Sequence, residues 1–287
     1  MARFKWVGLA LLLLMGWSFV GDSAAETGLR IQIVGSTTVL PVVSHAAQQF
    51  MASSNTRILV NAGGSGVGIF SAAQGRADIG MASREISSNE KKRFKNSDLK
   101  THSVGLDAVA CMVSSEIYQS GVRLLTRAQI AKIYMGKITN WKEVGGPDKK
   151  IVVIDKEHHR GTRHVFMRYV FGNATQRTPG TLLVTGSNNE EQTKIAQSDS
   201  AIGMLSFAWI NEDVRAVIIQ DQNGKFAPTL KAVQSGRYPI MRELSLITRG
   251  EPKGKIKAFI DFVKGPEGQK SVVENGYIPV GGETSKP

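Results

Sequence analysis

The sequence predicts an α/β protein in which helices cover a mostly parallel sheet. Two observations carry this. Brief Val/Ile-rich runs alternate with amphipathic stretches from Ile31 onward, and no low-complexity segment, internal repeat or long linker interrupts them. A strand with two apolar faces needs a partner layer on each side, and an amphipathic stretch between successive strands supplies it. If the chain forms two domains, strands must cross between them.

Taken in order, the strand candidates are IQIVG (31–35), RILVNA (57–62), ADIGMA (77–82), VACMV (109–113) and IVVID (151–155). VVSHAAQQFMA (42–52) and LLTRAQIAKIYMG (124–136) are the helical stretches; in the second, Leu125, Ile130, Ile133 and Tyr134 fall near helical spacing. Towards the end, YPIMRELSLITRG (238–250) reads as a strand and KIKAFIDFVKG (255–265) as a helix. A further helix opens at Pro266, where a missing N–H costs nothing.

Residues 1–25 read as a secretory signal peptide outside the fold. Arg3 and Lys5 precede an apolar run from Val7 to Val20, and Ser-Ala-Ala ends at Ala25. The run is shorter than the roughly 20 residues that cross a bilayer. Removing it lowers the formal charge by only one from +12, so the basic excess belongs to the folded protein. Such an excess favours anionic partners of any size, or serves solubility alone. Cys111, the single cysteine, permits no internal disulfide and lies far from any lipidation position. The expectation is a free periplasmic protein without a lipid anchor.

Three loops share one layout, in which a strand ends, small hydroxylic or glycine residues follow, and a helix begins. In IVGSTTVLP (33–41), Ser36, Thr37 and Thr38 stand at a helix start. In NAGGSGVGIF (61–70), glycines allow close backbone approach, while Ser65 offers a hydroxyl and an N–H. In DKEHHRGTRHVF (155–166), Gly161 and Thr162 follow a strand, with Thr162 placed to cap the next helix. Free N–H groups and the positive end of a helix dipole attract anions. One such loop is commonly an ordinary cap; three in one chain point to an anion cradle.

These pieces carry a resemblance. GSTTVLP, GGSGVGI, ADIGMASREI, QIAKIYMGKITNWKEVGG, RGTRHVF, AIGM and KAFIDFVKGPEGQ…ENGYIPV run in family order from about residue 31 to 280. Together they are similar to the shorter periplasmic phosphate-binding proteins of the phosphate-specific ABC transporter. The resemblance implies the type II two-lobed periplasmic binding fold, with the ligand in a cleft between lobes. Residues 26–105 with 237–287 would form one lobe and 106–236 the other. It also implies a non-enzyme that captures inorganic phosphate, or another oxyanion, for a membrane ABC permease. It would act as a monomer, with no cofactor, no metal and no nucleic acid. A related use is surface adhesion or signalling. Carried over residue by residue, the family's ligand contacts fall on Ser36, Thr37, Thr38, Ser65, Gly66, Ser83 and Arg84, then on Lys156, Arg160, Gly161 and Thr162.

The sequence departs from that pattern in the third loop. The family usually has arginine where Lys156 stands and serine where Arg160 stands. Lys156 keeps a charge but loses the two-pronged fork that suits oxyanions, which Arg160 would then supply. Longer members place an aspartate after the Ala-Ser step, where this chain has Arg84. Glu85, Asp155 and Glu157 are then the candidates to accept a phosphate proton.

Other classes fit less well. Catalysis or a metal would recruit Asp155, His158, His159 and His164, but further ligands and nucleophile motifs are lacking, with His45 and His102 in other segments. Nucleic-acid binding wants a basic stripe with exposed aromatics. Here the cations are dispersed, EKKRFK reads as a solvated helix face, and Tyr134 and Trp141 read as packing residues.

Overall fold

The computed structural model describes residues 30–281. The signal-peptide expectation for residues 1–25 therefore lies outside the described residues. The first strand, β1 (Arg30–Gly35), turns Ile31 and Ile33 inward by simple alternation. Helix α1 (Leu40–Ala52) carries Pro41 in its first turn and buries Val42, Val43, Ala46 and Ala47. Then come β2 (Arg57–Ala62), α2 (Ser65–Ala73) and β3 (Ile79–Ala82); β2 and β3 pair in parallel on either side of β1. Helix α3 (Ser88–Arg93) starts with a reciprocal cap between Ser87 and Glu90 and buries nothing.

The long strand β4 (Leu99–Ser114) leads into α4 (Ser115–Gln119), β5 (Leu124–Thr126) and α5 (Arg127–Tyr134), the last capped by Thr126. After these lie β6 (Val152–Lys156), α6 (Gly161–Phe171), β7 (Leu183–Thr185), α7 (Asn188–Ala196) and β8 (Ala201–Ser206). Three short strands, β9 (Val214–Ala216), β10 (Ile218–Asp221) and β11 (Gly224–Phe226), precede α8 (Leu230–Gln234). The chain returns on β12 (Met241–Arg249) and closes with α9 (Gly254–Lys264) and α10 (Pro266–Glu274).

The main sheet runs β2-β1-β3-β12-β4-β8-β6-β7, with β9 also on β4. Its two ends are parallel, as expected, but its middle is not: β12 is antiparallel to both β3 and β4, and β4 to β8. The cause is topological. The chain leaves its first half on β4 and returns on β12, so the two crossing strands run in opposite directions side by side. Residues 99–108 of β4 pair with β12, and residues 109–113 pair with β8, so one strand serves both halves.

Each half has its own core. One gathers Ile33, Val42, Met81, Leu246, Phe259 and Val263. The other gathers Val113, Ile130, Tyr134, Trp141, Phe166 and Ile202, and also takes in Tyr238 and Ile240 just before β12. Tyr134 and Trp141 are fully buried, as packing residues should be, and the Trp141 indole N–H donates to the Ser200 carbonyl at 2.9 Å.

Backbone-to-backbone contact seats α2 on β3. A Cβ on Gly80 would lie 2.3 Å from the Gly68 carbonyl oxygen, so neither partner can retreat without moving the helix. That seat brings Ser65, the first residue of α2, against the end of β3. Gly80→Ala is expected to destabilise the fold by about 1–3 kcal/mol through overpacking, read as a lower urea midpoint with an unchanged slope.

Candidate functional site

Four helix starts converge on one cavity. Ser36, Thr37 and Thr38 approach from the turn before α1, and Gly64 and Ser65 from α2. Arg160, Gly161 and Thr162 come from α6, and Ser187 and Asn188 from α7. With Ser83 and Lys156 they line a small, narrow cavity. Two starts come from each half of the molecule. Each presents N–H groups that its helix cannot satisfy, so the cavity concentrates donors and positive dipole ends.

The halves touch at the cavity. His159 Nε2 lies 3.1 Å from the Gly63 carbonyl, the Gly66 N–H donates to the His159 carbonyl at 3.0 Å, and Asn188 Nδ2 donates to Thr38 Oγ1 at 2.9 Å. Gly161 makes the approach possible, because a Cβ there would fall 2.3 Å from Ser65 Oγ and 2.6 Å from Ser83 Oγ. A hydroxyl chain links three of the serines. Ser36 Oγ donates to Ser83 Oγ at 2.8 Å, and Ser65 Oγ accepts from the Ser83 N–H at 3.0 Å.

Behind the hydroxyls lies a buried ion pair. Arg242 on β12 stands directly opposite Asp107 on β4, and its Nε and Nη2 donate to Asp107 Oδ2 at 2.9 and 2.6 Å. The same guanidinium reaches both halves, donating to Thr38 Oγ1 at 3.2 Å and to Thr162 Oγ1 at 2.9 Å. Burial pushes the Asp107 carboxyl above its ordinary value while Arg242 pulls it back. Lys156 is likewise buried, pairs with the Glu191 carboxylate and donates to the Ser187 carbonyl at 3.1 Å. Burial pushes this ammonium down, opposed by the Glu191 charge.

Residues 22–267 match the family described as a PBP superfamily domain. The chain is 34% identical to the phosphate-binding protein PstS of Bacillus subtilis, over 91% of this chain and 83% of that protein. The chain belongs to the PstS family of phosphate-binding proteins. Among solved structures, a phosphate ABC transporter substrate-binding protein from Clostridium perfringens with bound phosphate is 33% identical. It covers 88% of this chain and 99% of its own, with a TM-score of 0.78. An ABC-type phosphate transport receptor from Vibrio cholerae is 30% identical, covering 86% and 99%, with a TM-score of 0.69. The fold of this PstS-family chain is accordingly two-lobed, with the cavity between the lobes.

Nine of the eleven residues expected at the site line the cavity: Ser36, Thr37, Thr38, Ser65, Ser83, Lys156, Arg160, Gly161 and Thr162. Gly66 and Arg84 do not. The Gly66 N–H is spent on His159, and the Arg84 guanidinium makes a two-pronged pair with Glu90 at 2.7 and 2.8 Å, facing away from the cavity. Thr162 is no cap; Arg160 holds that position, and the hydroxyl of Thr162, the second residue of the helix, meets Arg242. Arg160 lines the cavity, yet its fork is engaged by Glu157 at 2.8 and 2.5 Å.

Of the proposed proton acceptors, Asp155 is spent on Arg163 and Thr178, Glu85 is exposed, and Glu157 is held by Arg160. The histidines His158, His159 and His164 line a separate hollow. Burial pushes His164 down to about 4, so it is neutral near pH 7.

Sequence reasoning passed over Arg242, Asp107, Ser187 and Asn188. A signal for Arg242 existed: in MRELSLI it shares the inward phase of Leu244 and Leu246, where a charge must have a buried partner. Arg242→Met should cost about 3–5 kcal/mol, because Asp107 stays buried without its partner. Adding Asp107→Leu should recover much of that loss in the same denaturation assay.

A second expectation concerns acid. Burial pushes the Glu90 carboxyl up, but the Arg84 guanidinium and the Ser87 groups outweigh it and hold it below the ordinary 4.5. A lowered folded value stabilises the fold above 4.5, and that stabilisation is lost as pH falls through the folded value. Glu90→Gln should therefore flatten the acid side of the stability–pH curve, with phosphate binding near neutral pH unaffected.

Proposed function

We propose that this protein captures inorganic phosphate outside the cytoplasm and delivers it to a membrane ABC permease. The observation that carries the reading is the convergence of four helix starts, two from each lobe, on one hydroxyl-lined cavity. An anion there collects hydrogen bonds from both lobes at once and so favours the closed arrangement over the open one. The lobes are residues 26–105 with 237–287 and residues 106–236, with β4 and β12 as the crossing strands. Residues 1–25 are a cleaved export signal, and the protein acts as a monomer in the periplasm. It needs no cofactor and performs no catalysis, since capture and release complete the task.

The ligand-contacting set on this reading is Ser36, Thr37, Thr38, Ser65, Ser83, Arg160, Gly161 and Thr162, joined by Asn188, with Arg242 behind the hydroxyls. Lys156 acts from behind. It holds the Ser187 carbonyl and so fixes the start of α7.

Titration calorimetry with phosphate, sulfate, arsenate and molybdate at one pH tests this directly. Phosphate should bind with a one-to-one stoichiometry. Failure to bind any of the four would remove the capture reading and leave adhesion or signalling as the use of this fold. Arg160→Ala should weaken phosphate by about 1.5–3 kcal/mol, the value of a hydrogen bond to a charged group. An unchanged affinity would take Arg160 out of the site.

A further inference from the structure

Hydrogen phosphate, the form that dominates in mildly alkaline solution, still carries one O–H. Sulfate and fluorophosphate have the same charge and a tetrahedral shape but no such proton. Only a hydrogen-bond acceptor in the cavity can favour the first over the other two. Among the described residues no carboxylate lines the cavity, and those behind it are already paired. Asp107 accepts from Arg242 and Ser206, Glu191 pairs with Lys156 and accepts from the Met204 N–H, and Glu157 accepts from Arg160.

Most of the hydroxyls already take part in hydrogen bonds. Those with a lone pair to spare, Thr37 Oγ1 included, can turn either a proton or a lone pair to a ligand, whereas an amide oxygen can only accept. Thr38 Oγ1 accepts from both Asn188 Nδ2 and Arg242 Nη2, which fills both of its lone pairs and leaves only its proton to offer. Thr162 Oγ1 accepts from Arg242, and Ser65 Oγ accepts from the Ser83 N–H. Ser36 Oγ accepts from the Thr38 N–H and gives its proton to Ser83. The Ser187 carbonyl is taken by Lys156.

Asn188 is different. Its side chain lines the cavity and the residue is 1% exposed. Its amide nitrogen donates to Thr38, and among the described residues no donor meets its amide oxygen. We propose that Asn188 Oδ1 accepts the phosphate proton, so that a neutral amide confers specificity for phosphate over proton-free oxyanions. This rests on the phosphate reading above. The side chain has a double duty: its N–H joins the lobes through Thr38 while its carbonyl tests the ligand. A neutral acceptor suits this cavity, where an additional carboxylate would repel the anion it had to recognise.

The test compares phosphate, sulfate and fluorophosphate by calorimetry at one mildly alkaline pH, with folding checked by circular dichroism. The wild-type protein should prefer phosphate over both other anions by about tenfold or more, the effect of one unsatisfied polar group. Asn188→Ala should erase most of that preference, lowering phosphate affinity more than the other two. Asn188→Asp keeps an acceptor and should retain the preference while binding all three more weakly. Equal binding of the three anions by the wild-type protein overturns the inference and leaves phosphate capture standing. So does an Asn188→Ala variant that weakens all three alike, the outcome for a residue that only joins the lobes. If the wild-type protein binds none of them, the phosphate reading itself falls.

Discussion

The ion pair between Asp107 and Arg242 is the joint on which the rest of the arrangement depends. Both residues lie on the two strands that cross between lobes, opposite one another in register, and both are buried. A pair so placed is expensive to desolvate and gives little net stability over an apolar substitute. What it supplies is position. Because the carboxylate fixes one edge of the guanidinium, the remaining N–H groups point in set directions, one towards Thr38 in the first lobe and another towards Thr162 in the second. One guanidinium thus holds a hydroxyl from each side, which ties cavity geometry to the crossing strands.

The charges near the cavity follow one plan. Arg242 has Asp107, Lys156 has Glu191, Arg160 has Glu157, and Arg84 just outside has Glu90. The cations thus bring little net charge to the cavity before an anion enters. The attraction comes instead from four helix starts and from hydroxyls polarised by N–H donors behind them. Such a field is short-ranged and directional. It suits discrimination by hydrogen-bond pattern better than collection of anions by bulk charge.

Much of this was legible in the sequence, for a local reason. The strand-loop-helix units of the first lobe, the crossing strand near 238–250 and three of the four helix starts depend on contacts within a few residues. Alternation, helical spacing and cap chemistry therefore reveal them. The antiparallel middle of the sheet depends on which distant strands meet, and no local pattern encodes that. Asn188 was missed for the same cause, since its partner Thr38 lies 150 residues away. The inward phase of Arg242 was a local signal, but its partners Asp107 and Thr38 lie 135 and 204 residues away. Arg84 shows the converse. Its place beside the Ala-Ser step made it a ligand candidate, but Glu90, six residues on, holds its guanidinium on the other side of the loop.

The two departures in the third loop acquire a physical meaning from this geometry. Replacing a forked guanidinium by the Lys156 ammonium would be costly if that position had to grip the anion. Here Lys156 points into a fully buried pair with Glu191 and steadies the Ser187 carbonyl, a task that needs a point charge and no fork. Arg160 does not simply inherit the lost fork, because Glu157 already occupies it. Arg242 has its own fork engaged by Asp107 and lies behind the hydroxyls, so its part is to hold Thr38 and Thr162 from the crossing strand. The charge that orients the cavity's hydroxyls therefore sits on the connection between its two sides. On that account the residues at 156 and 160 serve the frame of the cavity, while Arg242 and Asn188 fix the hydroxyls of Thr38 and Thr162.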